Sequence, residues 1–430
     1  MSRRLLSLLP LGLVAILASS AGAQSTVSLR DHISDLFTFG DCGQPLCLDV
    51  PGQHGNHFLP SLAKGNSTVI SFLGDAIGKA SGNVPVGATS SGATFTFVGG
   101  LPVKTSTSAG PIFGERSQTL GRGRFFLGAN VTAIKYTTLN GIPLSALSLN
   151  FNHEDVDPVG EYGNPQFEND LIALTIDLDV NVFVGTVAFT YGLTDFIDVG
   201  VSVPMVRTSI KGQSAAQILP FGPTALHHFA GTDQDPVLRA AASLDATSSG
   251  IGDVVARAKI NLGQSNRIGA ALLAEGRFAT GDDENLLGSG ASQIRILGIA
   301  AAQFGTFSPH LNAGYVVRSG EFQNDAIVAT LGFDNLMTDW STLAAGLVSE
   351  FQIGEGQFTM PGPIVYDTPF SRQVPATVIP NRKENLLSAT VGTKFTLRGG
   401  SVLTTNALFP LRKAGLQPDF LWTMGLEFSF

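Results

Sequence analysis

The chain has 430 residues, of which only 14% are charged while 50 are glycine, respectively low and high against ordinary globular usage. A net charge of -8 argues against a nucleic-acid binder and against a basic peripheral membrane protein. After the first 23 residues no segment reaches the ~18 unbroken apolar residues of a transmembrane helix, which leaves a soluble all-β protein or a membrane barrel.

The amino-terminus reads as a secretory signal. Arg3 and Arg4 supply the positive region, Leu5 to Ala18 the apolar region, and Ala21-Gly22-Ala23 an A-x-A cleavage site before Gln24. Removing residues 1–23 takes two arginines with it and leaves 24 basic against 34 acidic residues, net -10. No cysteine follows the site, which speaks against a lipid anchor. Cys42 and Cys47 lie in DCGQPLCLD, and oxidising surroundings after export favour a local disulfide between them. His54 and His57 follow, so a Cys2His2 metal site is the alternative, although the gap between the histidines is shorter than finger spacing. No metal and no cofactor are assigned from this.

Residues 24–123 do not read as barrel. Asn66 to Ala80 places Val69, Phe72, Leu73, Ala76 and Ile77 at helical spacing, with Asn66 or Ser67 as N-cap, which predicts a short amphipathic helix near 66–80. Ala93 to Val98 and Val103 to Ser108 predict a small hairpin. This leader is long enough to cap or plug a barrel, from the periplasm or within the lumen.

From Arg124 onward the pattern becomes repetitive, with period two. Ile197, Val199, Val201, Val203 and Met205 alternate with Asp198, Gly200, Ser202 and Pro204. Val254, Ala256, Ala258, Ile260 and Leu262 alternate with Asp253, Arg257, Lys259 and Asn261. Similar alternation sets Ile268, Ala270, Leu272 and Ala274 against Arg267, Glu275 and Arg277, and Leu387, Ala389, Val391 and Phe395 against Ser388, Thr390 and Lys394. Bare hydrocarbon on one face and charge on the other suits strands between lipid and a wet lumen. Counting back from the carboxy-terminus gives strands near 420–430, 401–410, 385–398, 340–352, 326–334, 309–318, 293–304, 267–278, 251–262, 195–207, 171–191 and 124–136. The 171–191 stretch is too long for one crossing and should extend beyond the membrane. Short connections alternate with long ones, near 137–170, 208–250, 280–292, 319–325, 353–384 and 411–419, as periplasmic turns alternate with outer loops.

The last strand states the pattern most plainly. Phe420, Trp422, Met424, Leu426, Phe428 and Phe430 share one face, and Thr423, Gly425, Glu427 and Ser429 the other. The expected fold is all-β: a transmembrane antiparallel up-and-down β-barrel of 12 strands over 124–430, or 14 if the 93–108 hairpin joins. The expected location is the bacterial outer membrane. Lipid and lipopolysaccharide would be its surroundings, and the barrel-assembly machinery would recognise the terminal Phe430.

Several segments resemble a known family. They are Glu115 to Arg124 (ERSQTLGRGR), Tyr191 to Pro204 (YGLTDFIDVGVSVP), Gly250 to Lys259 (GIGDVVARAK), Ala279 to Gly290 (ATGDDENLLGSG) and Phe409 to Phe430. In this order, from about residue 90 to the end, they resemble the outer-membrane proteins named for the MetA pathway of phenol degradation. That family is related in outlook to the long-chain fatty-acid transporters. Ala279 stands where the family would have Pro. The resemblance implies a barrel that passes hydrophobic or aromatic small molecules, and it carries over no binding residue.

Chemistry-bearing motifs are sparse: there is no G-x-S-x-G elbow, no H-E-x-x-H and no G-x-x-x-x-G-K-[ST] loop. The acidic clusters Glu154-Asp155-Asp157, Asp233-Asp235 and Asp282-Asp283-Glu284 could bind divalent cations at the cell surface but read more ordinarily as solvated outer loops, and His227-His228 is expected in an exposed one. Strand phase assigns Asp177, Asp179, Asp253, Arg257, Lys259, Arg267, Glu275, Arg277, Arg295, His310, Glu350, Lys394 and Glu427 to the lumen. Mixed signs there can pair into a structural network or form a selective constriction. The leading expectation is a passive channel for small hydrophobic or aromatic solutes, not an enzyme. The alternatives are a closed barrel serving structure or surface recognition, and an outer-membrane hydrolase using His310 with a lumenal serine.

Overall fold

The computed structural model describes residues 27–39, 44–48, 57–58, 67–83, 95–98 and 101–104, and from 108 onward all but 156–161, 163, 167, 224–225, 266, 321–322, 357–359 and 398–399. The expected signal at 1–23 therefore lies outside the described residues, as do Cys42, His54 and Asp157.

The leader begins with helix α1 (Leu29–Ser34), which runs into a 3-10 turn at Asp35–Phe37. Ser28 caps α1 by accepting from the Asp31 backbone, while the Asp31 carboxylate reaches back to Ser28. Helix α2 (Ser67–Gly82) follows, two residues longer at its end than the expected helix. Strands β1 (Phe95–Val98) and β2 (Leu101–Lys104) pair only with each other. The hairpin does not join the barrel, and the strand count is not raised to 14.

The sheet proper opens with β3 (Phe125–Leu139), the two-residue β4 (Ile142–Pro143), β5 (Leu147–Asn152), β6 (Leu171–Gly192) and β7 (Ile197–Leu219). A small hairpin, β8 (Ala230–Thr232) and β9 (Asp235–Val237), precedes β10 (Arg239–Ile251). Then come β11 (Val255–Gln264), β12 (Ile268–Arg277), β13 (Gln293–Ala302), β14 (Phe307–Arg318), β15 (Ala326–Thr338) and β16 (Ser341–Gln352). Hairpin β17 (Ile364–Tyr366) and β18 (Arg372–Val374) sits in an outer loop, before β19 (Leu386–Thr396), β20 (Val402–Pro410) and β21 (Leu416–Ser429).

Twelve strands close a ring in the order β7, β11, β12, β13, β14, β15, β16, β19, β20, β21, β3, β6 and back to β7, every neighbour antiparallel. The seam is β21 against β3, where Phe430 and Phe125 exchange backbone hydrogen bonds. Closure leaves no edge in the ring, which is what a sheet in hydrocarbon requires. Phe420, Trp422, Met424 and Phe430 are exposed on the outside while Thr423 and Glu427 are buried inside. Ile268, Leu272, Ile294, Ile296, Leu331, Leu347 and Val391 continue the apolar outer surface around the ring. An even-numbered antiparallel ring with such a belt is an outer-membrane barrel.

Two strands exceed the rest. β6 has 22 residues and β7 has 23, against the ~9–11 of a membrane crossing. The expected strand 195–207 continues to Leu219, and the stretch 208–250, expected as a loop, contains β10 paired along β7 from Met205 to Gln217. β5 pairs the outer end of β6, so β5, β6, β7 and β10 form a four-stranded sheet standing above the barrel rim. Its inner face is apolar: Leu174, Ile176, Leu178, Val180, Ile210 and Ile218 are buried in one cluster with Leu29, Ile33, Leu36, Phe37, Leu46 and Phe58 of the leader. Gly212 makes room for this packing, because a Cβ there would meet the Leu178 and Leu36 methyls at 2.8 and 3.0 Å.

This sheet corrects two site assignments. Asp177 and Asp179 project outward from β6 above the membrane, not into the lumen; Asp177 is exposed and Asp179 pairs with Lys135 at 3.0 Å. His227 and His228 are likewise buried rather than exposed. His227 pairs through Nδ1 with Asp170 at 2.8 Å and lies in a ring cluster with His57, His153 and Phe58.

Candidate functional site

The lumen has a floor, two unlike walls and a roof. The floor is residues 108–123, which enter from the leader and thread the periplasmic half of the barrel before β3. An extended segment inside a barrel must have its backbone groups satisfied by the wall, and here the wall does so. Ala109 N donates to Thr342 Oγ1 at 3.0 Å, Glu115 N to Asn312 Oδ1 at 2.6 Å, and Asn261 Nδ2 donates to Ser117 O at 2.8 Å. Leu120 N reaches Asp198 at 3.0 Å and Arg122 N reaches Asp195 at 3.1 Å. Gly114 lies so close to His310 that a Cβ would sit 2.5 Å from the ring.

Two floor side chains lock into wall charges. The Asp334 carboxylate, fully buried on β15, accepts from both Arg116 and Ser108. Glu115 lies 3.4 Å from Arg257 and 3.5 Å from Lys259. Glu115, Arg116, Asp334, Asp198, Lys79, Arg318 and Glu384 were not among the site residues expected from sequence. Glu115 and Arg116 open the ERSQTLGRGR segment, but nothing local tells that their partners are wall residues more than 140 positions away.

The expected lumen residues distribute as follows. Arg257, Glu275 and Arg295 stand side by side on β11, β12 and β13 in one cross-strand row, with Glu275 2.7 Å from Arg257 and 3.5 Å from Arg295. Lys259 belongs to the floor cluster. Lys394 and Glu427 pair at 2.9 Å, with Thr404 donating to the same carboxylate at 3.0 Å, nearer the periplasmic end. Glu350 pairs with Arg318 at 2.9 Å. Arg277 faces inward but donates to the Gly82 carbonyl at the end of α2. Asp253 accepts from Gly281 N, Ser289 N and Ser289 Oγ, so it anchors the loop between β12 and β13. Arg267 is exposed in the periplasmic turn between β11 and β12, at the rim rather than on the wall. His310 is buried against the floor at Gly114.

The roof is α2. Phe72, Leu73, Ala76 and Ile77 are buried on one face. Arg30 grips its Asp75, and Lys79 forms an ion pair with Glu384 of the loop before β19. Between roof and floor lies a cavity of about 270 Å3, close to the lower end of the range of roughly 300–1,000 Å3 for small-molecule sites. Phe113 and Glu115 form its base and Ala76, Lys79 and Ala80 its ceiling. Ile134, Leu386, Leu408 and Leu421 line one side; Arg257, Glu275, Arg295 and Asn312 line the side opposite, with Leu273 and Leu297 between them. A second cavity of about 260 Å3 lies on the outer side of α2, and Lys79 borders both.

No family model matches the sequence, and no curated protein does either. Among solved structures the chain is similar to an outer membrane channel from Pseudomonas putida F1, at 13% identity over 73% of this chain and 98% of that one, with a TM-score of 0.41. It is also similar to the P. putida toluene transporter TodX, at 11% identity over 72% and 89%, TM-score 0.32. A Pseudomonas aeruginosa FadL homologue gives 11% identity over 71% and 89%, TM-score 0.30.

Cys47 is buried and disulfide-bonded, so its sulfur is not a thiolate ligand, and His57 stacks on His153. Among the described residues no group of three or more His, Cys, Asp or Glu side chains could hold a metal ion. What the lumen offers is a chamber bounded by α2 on one side and by Phe113 and Glu115 on the other.

Proposed function

We propose that this protein is a passive outer-membrane channel for small hydrophobic or aromatic solutes, closed at rest by residues 108–117 and without an enzymatic role. The observation that carries this reading is the chamber between α2 and the floor: it is large enough for one small molecule and half apolar. A barrel meant only to be shut has no use for such a space. The resemblance to the proteins named for the MetA pathway of phenol degradation supports the same reading. Transport follows the solute gradient, with the floor as the moving part.

The floor is held by the buried Arg116–Asp334 pair. Removing one member strands the other charge, at a cost of roughly 3–5 kcal/mol. Asp334→Ala should therefore free the floor, raising single-channel open probability and vesicle uptake of toluene at least about tenfold over wild type. If neither wild type nor Asp334→Ala shows conductance or uptake, the channel reading is wrong. That outcome would favour the second reading, a closed barrel with a structural or surface-recognition role, which the dense hydrogen bonding of residues 108–122 supports.

A further inference from the structure

Resting on the channel reading, we propose that the chamber is built for an amphiphile with a single anionic group, an aromatic or short aliphatic monocarboxylate, and that Arg295 takes the carboxylate.

The two sides of the chamber are opposite in the ring and differ in where charge sits: Leu386, Leu408 and Leu421 line one, while on the other the charged row Arg257, Glu275 and Arg295 stands beside Leu273 and Leu297. β12 and β20 are six steps apart in the twelve-strand cycle, so Glu275 and its neighbours look across the lumen at Leu408 and its neighbours. A solute that is apolar all round would match the leucines and desolvate the charged row. An amphiphile lying across the lumen satisfies both.

The charges of the polar wall form an alternating chain. Asp198 lies 3.9 Å from Lys259, Lys259 3.5 Å from Glu115, Glu115 3.4 Å from Arg257, Arg257 2.7 Å from Glu275, and Glu275 3.5 Å from Arg295. Each interior member has an opposite charge on both sides. The chain starts at the floor with an anion, Asp198, which also takes backbone hydrogen bonds from Leu120. It ends at the chamber with a cation, Arg295, whose one ion-pair partner among the described residues, Glu275, is shared with the nearer Arg257.

Arg295 is also the open member of its row. Its side chain is 29% exposed, against 7% for Arg257 and 5% for Glu275. Its Nε is buried and has no hydrogen-bond partner among the described residues. A guanidinium carries five donors in a planar fork, and a carboxylate accepts two of them at once. The other charged groups bordering the chamber already have counter-ions: Glu350 has Arg318, and Lys79 has Glu384. A carboxylate at Arg295 extends the alternation by one and places the attached ring or chain toward Leu408 and Leu421.

The test compares benzoate, benzyl alcohol and toluene, by calorimetric binding to the purified full-length barrel and by uptake into vesicles. Benzoate should bind at least about tenfold more tightly than benzyl alcohol, the difference expected of a charge-assisted pair. Arg295→Gln should erase that preference, and Arg295→Lys should keep part of it. Equal binding of benzoate and benzyl alcohol, or a preference that survives Arg295→Gln, overturns the proposal. Toluene uptake without benzoate preference defeats this inference and spares the channel; no uptake of any probe by wild type or by Asp334→Ala defeats the channel itself. Should Arg295→Gln fail to fold, Leu408→Trp, which fills the apolar side, must abolish benzoate binding, and retained binding would place the site elsewhere.

Discussion

β6 and β7 pass through two environments, and comparing their two halves explains most of this molecule. In the membrane half, Val187, Phe189, Tyr191, Val199, Val201 and Val203 face outward and are exposed, while Thr186, Thr190, Asp198 and Ser202 are buried inside. Above the rim the alternation continues without a break, but its sense is reversed. Leu174, Ile176, Leu178, Val180 and Ile210 now face inward, and Thr175, Asp177, Lys211 and Gln213 face out. The reversal falls near the paired residues Val184 and Val206. Backbone geometry fixes the period of two; the surroundings decide which face is apolar. Below the rim lipid is outside and polar lumen inside. Above it, water is outside and the leader's hydrophobic side chains are inside.

Placing one carboxylate on each face of the upper half should break this symmetry most severely. Ile176 is buried under the leader, so Ile176→Asp introduces an unpaired buried charge and should cost on the order of 4–5 kcal/mol. The expected outcome is release of α1 and the 3-10 turn, read as rapid proteolysis within residues 27–48 while the barrel keeps its heat-modifiable mobility. Thr175→Asp, one position along and exposed, should leave the protease pattern unchanged. Equal sensitivity of both variants would mean that the leader does not cover this face.

The comparison also explains what could be read from sequence and what could not. Twelve strands, the lipid face of β21 and the inward row Arg257, Glu275 and Arg295 were legible, because period two and lipid-lumen contrast are local properties. Asp177 and Asp179 were assigned to the lumen by extending the membrane rule to a part of β6 that lies in water. Nothing within the strand marks that change; it depends on Leu36 and Phe37, more than 130 positions earlier. The expected end of β7 at residue 207 falls short, because Arg207 and Lys211 are the wet face of a strand that continues to Leu219. His227 looked exposed for the same reason: its burial is created by Phe58 and His153, which sequence does not place beside it.

A second test moves the same change along one strand. Val201 and Gln213 both face outward on β7 with the same phase. Val201→Arg puts a charge in the lipid belt and should destabilise by about 2–4 kcal/mol near the midplane. Gln213→Arg, above the rim, should stay within ~0.5 kcal/mol. Urea unfolding in vesicles measures both, and similar losses at the two positions would remove the boundary from between them.

The smallest effect concerns the wet face itself. The hydrogen bond from Lys135 holds the Asp179 carboxyl below the usual carboxylate range, with Asn181 assisting and partial burial opposing. A carboxyl whose folded pKa is lowered contributes stability above its unfolded value, and that contribution disappears as pH falls through the folded one. Both side chains are well exposed, 62% for Lys135 and 45% for Asp179, so the pair is worth only about 0.2–0.5 kcal/mol at neutral pH and less in high salt. Lys135→Ala should move the Asp179 titration midpoint upward in a carboxyl-carbon NMR experiment, without changing protease resistance of the leader. An unchanged midpoint would show that the pair does not persist in solution. Facing water above the rim, the Asp179 midpoint should also drift upward with added salt as screening weakens Lys135.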